Sequence, residues 1–359
     1  MIAIFSISDL PGGAEQVLKQ IARHYVSKGI KVRYFIFKKK QSRYYEELDS
    51  NLFSITYFNN NILKMVFHFC KNRSLFDRIF SSHVNMNALI GKMIGLKIIK
   101  TKHFIARESF SIIYFYKGFK LFKYRLAYYF GYKNIDLLIT QTNLMKERLI
   151  ENLPYLNNRM NIVSIHNPFL FPSTEIQNES IDMGETEFIV SAGRLMPRKG
   201  FDILIRAFKN SKKEHPNIKL ILLGEGELRK ELEDLVEELE MVGEVLLIGF
   251  VNNIYPYFKK AKAAVLSSTI EGFPNVLLQM MSQNERVVST ICAGDINNIS
   301  GLFLAEPNDQ ESLENALHKA LDPIENRDKS NFQFLDYLKE RTIEKYMSVI
   351  DNNLKGKQL

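Results

Sequence analysis

From Ala14 the apolar positions run Ala14, Val17, Leu18, Ile21, Ala22 and Tyr25, the i, i+3, i+4, i+7, i+8, i+11 series of a single helix face. Ahead of them Ile2 to Ile7 is a short apolar run, broken by Pro11-Gly12-Gly13, and it reads as a strand. Gly29 stops the helix, and Lys31 to Phe37 resumes as a strand rich in apolar residues. Strand, helix and strand in that order predict a βαβ unit with a parallel pair and a right-handed crossover.

The alternation returns after a polar stretch, Ser173 to Glu187, which reads as an interdomain linker. Strands are expected at Glu187–Ala192, Lys219–Leu223, Val245–Gly249, Ala263–Ser267 and Arg286–Ser289. Helices are expected at Phe201–Lys209, Glu227–Leu239 and Val276–Ser282. Two runs of alternating strand and helix predict two doubly wound α/β domains, which bind ligands at the carboxyl ends of their strands, here in a cleft between the domains.

A chain of 359 residues, 46% hydrophobic and 25% charged, is long enough for two such cores. Cys70 and Cys292 lie far apart, and no CxxC or HExxH motif occurs, so neither a disulfide framework nor a zinc signature is expected. The N-terminus is apolar for only seven residues without a basic lead, and Val84 to Ile99 is interrupted by Lys92 and Lys97. A cytoplasmic protein, soluble or held on the inner face of the membrane, is expected. The net charge of +8 is split unevenly. Residues 1–165 hold 26 Lys/Arg against 10 Asp/Glu, and the rest hold 22 against 30, so the first domain is expected to face something anionic.

Candidate chemistry gathers in the second half. Ser191-Ala-Gly-Arg194-Leu-Met-Pro-Arg198-Lys199-Gly200 joins a strand to a helix. Arg194 offers a planar fork and Lys199 a mobile point charge, which suits a diphosphate. Alone, the segment reads more readily as solvated loop charges. In Glu271-Gly272-Phe273-Pro274-Asn275, glycine permits close backbone approach and proline suits a first helical turn, with Glu271 placed to accept from hydroxyls. Gln279 lies two turns further on; alone, this segment too is an ordinary helix start. Gly224-Glu225-Gly226 fails the dinucleotide fingerprint because Arg229 replaces its third glycine, and it reads as a strand-end turn. No Asp-x-Asp occurs to hold a divalent ion, so protein cations and helix dipoles must neutralise a diphosphate. Gly12 and Gly13 end the first strand, either as a simple turn or as a loop touching a ligand.

Taken in order, these segments resemble the GT-B retaining glycosyltransferases of family 4, the group 1 glycosyltransferases. The resemblance spans nearly the whole chain, through Gly12-Gly-Ala-Glu15, Asn167-Pro168, Gly193-Arg194 to Lys199-Gly200-Phe201, Gly249-Phe250-Val251, and Glu271 to Asn275. It implies two Rossmann-like domains facing a central cleft. Residues 1–170 would bind the acceptor, 171–335 the nucleotide-sugar, and 336–359 would return as a helix toward the first domain. Arg194 and Lys199 would hold the donor diphosphate, and Phe250 and Val251 would border the base. Glu271 would contact sugar hydroxyls, with Gly272, Phe273, Pro274 and Asn275 beside sugar and phosphate, and Gly12 and Gly13 would close over the diphosphate. The second carboxylate of the family's E-x7-E pair, which binds the ribose, is here Gln279. Where many members place a histidine, Arg107 and Glu108 stand, implying acceptor contacts or an internal ion pair.

The resemblance implies metal-independent transfer, without a cofactor, of a hexose or N-acetylhexosamine from a UDP-sugar. The acceptor would be a lipid-linked saccharide of O-antigen, capsule or lipopolysaccharide synthesis. Charge growing on the leaving diphosphate would be held by Arg194 and Lys199 while the acceptor attacks from the same face. Gln279 and Arg107 also admit a relative that binds nucleotide-sugar but has lost catalysis. Between Ser109 and Asn134, eleven aromatic residues accompany Lys117, Lys120, Lys123, Arg125 and Lys133 with no acidic residue, a composition suited to an anionic membrane surface. A nucleic-acid partner is not expected, because no recognised motif accompanies the patch.

Overall fold

The computed structural model describes residues 1–40, 44, 45, 48, 50–322 and 334–355. They form two compact units, Met1–Leu170 with Arg341–Leu359, and Phe171–Glu340.

The first unit is built on a seven-stranded sheet in the order β3-β2-β1-β4-β5-β6-β7, with every pairing parallel. The strands are β1 (Ile2–Ser8), β2 (Val32–Lys38), β3 (Phe53–Tyr57), β4 (Leu75–Ser82), β5 (Lys100–Arg107), β6 (Leu137–Thr140) and β7 (Asn161–Ser164). Their continuous apolar character follows from burial on both faces. Along β1, Ala3 and Phe5 enter one core, while Ile2 and Ile4 enter the other with Val17, Leu18, Ile21 and Ala22 of α1 (Gly13–Ser27). The C-terminal helix Ile343–Lys355 belongs to this unit, burying Tyr346, Met347, Ile350 and Leu354 in the α1 core. Residues 356–359, the end of the expected C-terminal helix, lie outside the described residues.

After α1 come α2 (Ile62–Lys71), α3 (Val84–Gly95), α4 (Ile112–Phe115), α5 (Gly118–Gly131) and α6 (Asn143–Asn152), and α5 packs on α3 at backbone distance. A Cβ on Gly131 would come within 2.4 Å of Ala88 Cα, so only glycine admits that approach. Tyr128 and Tyr132 point inward, at 1% and 0% exposure, while Phe119, Phe122 and Phe130 stand 71%, 53% and 53% exposed. The aromatic segment is thus a short helix, Ile112–Phe115, followed after a break at Tyr116 and Lys117 by α5, whose outward face carries the surplus rings.

The second unit has a six-stranded parallel sheet, β10-β9-β8-β11-β12-β13. Its strands are β8 (Phe188–Ala192), β9 (Lys219–Leu223), β10 (Val245–Gly249), β11 (Ala263–Leu266), β12 (Val287–Thr290) and β13 (Phe303–Ala305). Among its helices are α8 (Phe201–Ser211), α9 (Arg229–Glu238), α10 (Tyr255–Lys260), α11 (Asn275–Met281) and α12 (Gln310–Leu321). The strand order reverses between β1 and β4 in the first sheet and between β8 and β11 in the second. Those are the topological switch points at which doubly wound sheets bind ligands.

The polar stretch 173–187 is not a free linker. It starts with a helical turn, α7 (Thr174–Gln177), capped by Ser173, and it is tied to the second unit. Asn253 Nδ2 donates to Ile176 O at 2.7 Å, and Lys259 Nζ donates to Asn178 Oδ1 at 2.6 Å. Polar composition concealed this because the attachment is by hydrogen bonds rather than apolar burial.

Candidate active site

The loops after β8 and β11 are sewn together at the second switch point. Thr269 N donates to Arg198 O at 2.8 Å, and Ser267 Oγ donates to Lys199 O at 2.9 Å. Gly200 permits the seam. Its φ of +60° is left-handed, and a Cβ there would lie 2.3 Å from Ser267 O. The short 3-10 turn Pro197–Lys199 is thereby fixed over the Glu271 loop, which is anchored in turn by Glu271 N donating to Cys292 O at 2.8 Å.

This framework brings three charges together. Lys199 Nζ lies 2.6 Å from Glu271 Oε1, and Arg198 Nη1 lies 3.1 Å from Glu271 Oε2. The Glu271 side chain is 10% exposed and that of Lys199 14%. Burial alone would raise the Glu271 carboxyl. Lys199 first and Arg198 second outweigh it, holding the group below its ordinary value as an ionised carboxylate. Nearby, burial and the Glu271 charge push the Cys292 thiol up to about 12, so no thiolate nucleophile is available there.

Arg194 stands on the same loop as Lys199 but is solvent-exposed, and it has no hydrogen-bond or ion-pair partner among the described residues. The backbone around it is tightly set: Gly193 N donates to Leu223 O at 2.9 Å, and Leu195 N donates to Glu225 O at 3.0 Å. The Gly224-Glu225-Gly226 segment, expected to be a plain turn, packs against this loop. At Gly224, φ is +138°, and a Cβ would come within 1.9 Å of Gly193 O. Glu225 is held away by Arg229, at 2.6 Å. The carboxyl ends of β8, β9 and β10 thus meet backbone to backbone, leaving Arg194 as a free cation on a rigid mount.

Phe250, which follows β10, is 61% exposed, and Val251 is half-buried. Gly272, Phe273 and Pro274 are buried below Glu271, and Asn275 opens α11. Gln279 Nε2 donates to Tyr255 Oη at 3.3 Å. Gly12 and Gly13 belong to the first unit, where they do not end β1, which stops at Ser8: Gly12 is the N-cap of α1 and Gly13 its first residue.

Arg107 and Glu108 end β5, also in the first unit, and both are buried, at 1% and 2% exposure. They do not pair with each other, because neighbouring residues of extended chain point to opposite faces. Arg107 Nη2 donates to Asn167 Oδ1 at 2.6 Å, and its Nε donates to Tyr346 Oη at 2.9 Å. Glu108 instead accepts from Tyr132 Oη at 2.6 Å and Tyr128 Oη at 3.0 Å, and burial pushes its carboxyl up to about 7. The sequence reading passed over Arg198. Its signal was a second cation beside Lys199, ahead of a glycine.

Residues 173–331 match the family model described as "Glycosyl transferases group 1". This span is a group 1 glycosyltransferase domain. The chain is similar to an uncharacterized glycosyltransferase of Methanocaldococcus jannaschii, 34% identical over 46% of this chain and 42% of that protein. It is also similar to the N-acetylgalactosamine-N,N'-diacetylbacillosaminyl-diphospho-undecaprenol 4-alpha-N-acetylgalactosaminyltransferase of Campylobacter jejuni, 30% identical over 62% of this chain and 59% of that one. Each match therefore spans about half the length of the curated relative. Among solved structures, Anabaena HepE in complex with UDP and glucose superposes with a TM-score of 0.82 at 18% identity, covering 98% of both chains. WaaG, a glycosyltransferase involved in lipopolysaccharide biosynthesis, superposes at 0.71 with 18% identity over 94% of this chain and 95% of that one. The chain has the GT-B fold, each unit supplying one of its two Rossmann-like domains. In the group 1 glycosyltransferase domain, the Arg198, Lys199 and Glu271 cluster occupies the switch point of the sheet.

Proposed function

We propose that the chain transfers a hexose or N-acetylhexosamine from a UDP-sugar to a saccharide acceptor, with retention at the anomeric carbon and without a metal ion. The observation that carries this reading is the Lys199–Glu271 pair at the second switch point. A buried carboxylate held by two cations is a stand-in for a diphosphate. When donor binds, its diphosphate shares Lys199 and Arg198 with Glu271, and Arg194 reaches in from the exposed side. Glu271, kept ionised by those shared cations, accepts hydrogen bonds from sugar hydroxyls. As the bond from the anomeric carbon to the diphosphate oxygen lengthens, the charge gathering on that oxygen is neutralised by cations already in place, and the acceptor hydroxyl attacks from the same face. Phe250 and Val251 border the base, Gln279 meets the ribose, and Gly272 to Asn275 lie against sugar and phosphate. Gly12 and Gly13 shape the turn from β1 into α1, and Arg107 and Glu108 act from within the core by fixing the β5 end on the acceptor side.

The acceptor in this reading is a lipid-linked saccharide of surface-polysaccharide synthesis, a class to which the name of the Campylobacter relative also points. Among the described residues no helix is long and apolar enough to cross a membrane. Helix α5 supplies the surface contact instead. Phe119, Phe122 and Phe130 face outward, and Lys120 and Lys123 lie 3.9 and 4.7 Å over the rings of Tyr116 and Phe119. Rings at headgroup level with adjacent cations suit the anionic inner leaflet.

A second reading rests on Gln279, whose bond to Tyr255 replaces a carboxylate: the site binds nucleotide-sugar but turns it over weakly. Release of UDP from a panel of UDP-sugars, with saccharide acceptors and excess EDTA, decides between them. Acceptor-dependent release supports transfer. Binding of UDP without release supports the second reading, and release that requires a divalent metal overturns the diphosphate argument. GDP-sugars in the same panel test the choice of nucleotide.

A further inference from the structure

At the amino edge of the second sheet, away from Glu271, the turn between α8 and β9 lies against α12. Glu214, His215 and His318 meet there, one carboxylate and two imidazoles whose ligand-capable atoms all lie within 4.8 Å of one another. The two rings are 6.2 Å apart at 37°. His318 Nδ1 is 3.0 Å from Glu214 Oε2, but the approach does not make a hydrogen bond.

Two buried nitrogens distinguish the cluster from a surface ion pair. His215 Nε2 and His318 Nδ1 are both shut off from solvent, and neither has a hydrogen-bond partner. Dry, unpaired polar atoms are rare and costly. A proton relieves only one of them: it lets His318 attract Glu214 but leaves His215 Nε2 as it was. A cation bound to both nitrogens and to the carboxylate satisfies all three groups at once.

The surroundings fit that arrangement. The other nitrogen of His318, Nε2, faces Glu314 Oε1 at 3.8 Å, and Glu314 Oε2 accepts from Asn210 Nδ2 at 2.8 Å. An imidazole backed by a carboxylate, itself fixed by a hydrogen bond, is the usual support of a metal-bound histidine. Two nitrogens and one oxygen favour zinc over magnesium, which prefers an octahedron of oxygens. Zinc bonds of about 2.0–2.2 Å require ligand atoms roughly 3.4 Å apart in a tetrahedron. The Glu214–His318 approach is already 3.0 Å, and the other ligand atoms, within 4.8 Å, reach that spacing by small side-chain rotations.

We propose that Glu214, His215 and His318 form a structural zinc site that clips the α8–β9 turn to α12. It lies at the edge of the sheet opposite Arg194, Lys199 and Glu271, so it takes no part in donor chemistry. The proposal is independent of the transferase reading.

The full-length protein, stripped with EDTA and dialysed, is titrated with zinc chloride against a chromophoric chelator and followed by thermal unfolding. One zinc binds per chain, and at a hundredfold excess over Kd the Tm rises by roughly 5–10 °C. Magnesium chloride gives no rise. His215→Ala with His318→Ala abolishes both signals, and Glu214→Gln, a change at an exposed side chain, weakens zinc at least about tenfold. Absence of a zinc-dependent rise, or an undiminished one in Glu214→Gln, overturns the proposal even if the double variant fails to fold.

Discussion

Lys199 Nζ lies 2.6 Å from Glu271 Oε1, joining the loop after β8 to the loop after β11. The pair does two things at once. It closes the seam between the loops, and it keeps a cation and an ionised carboxylate where donor is proposed to bind. Lys199→Ala is expected to leave Glu271 buried with Arg198 as its remaining cation. The cost is about 3 kcal/mol of stability, because one partner of a buried pair is removed, together with at least about 10²-fold in kcat. Thermal unfolding and donor turnover measure the two losses separately.

Arg194 offers the cleaner test, because it has no partner among the described residues and is exposed. Arg194→Ala is expected to change stability by less than about 0.5 kcal/mol yet to lower kcat/KM by about 10²-fold or more. Unchanged kinetics in a fully folded variant would remove Arg194 from the site.

At the proposed ribose position, Gln279 is an uncharged acceptor whose amide is engaged by Tyr255. Gln279→Glu supplies a carboxylate, and a hydrogen bond to a charged group is stronger by about 1 kcal/mol. The expected result is a donor KM about fivefold lower with little change in kcat. A KM that stays the same or rises would show that the ribose is held elsewhere.

Glu108 gives a pH dependence. Its carboxyl is pushed by burial from 4.5 to about 7, against the lowering effect of the Tyr132 and Tyr128 hydroxyls. Below the unfolded value, both states carry the proton. Between 4.5 and about 7 only the folded state keeps it, so stability falls as pH rises through that window. The loss reaches about 3 kcal/mol once the folded group ionises. Denaturant unfolding from pH 4.5 to 8 should show this decline, and Glu108→Gln should flatten it. An equally steep decline in the variant would assign the effect to another group.

The GT-B expectation was legible because it rests on local patterns. The helix face of Ala14 to Tyr25 and the apolar strand runs are periodicities, and the residues that bear them lie in the two cores described above. The Gly-Arg to Lys-Gly segment and Glu271, each unremarkable alone, could be named because their order along the chain resembles that of a known family. The contacts of Arg107 and Glu108 could not be. Adjacent letters suggested a shared role, whereas strand geometry sends one side chain to Asn167 and Tyr346 and the other to Tyr128 and Tyr132.

The sequence by itself determined two alternating α/β halves, an excess of positive charge in the first, and a set of cations and one carboxylate at strand ends. Only the tertiary structure decided that Arg198 joins Lys199 on Glu271, that Arg194 stays unpaired among the described residues, and that two distant histidines meet beside exposed Glu214. Periodicity and composition act over a few residues and survive in the one-dimensional chain. Pairing of charges across loops depends on which strands become neighbours, and that is set by the crossover order of the sheet.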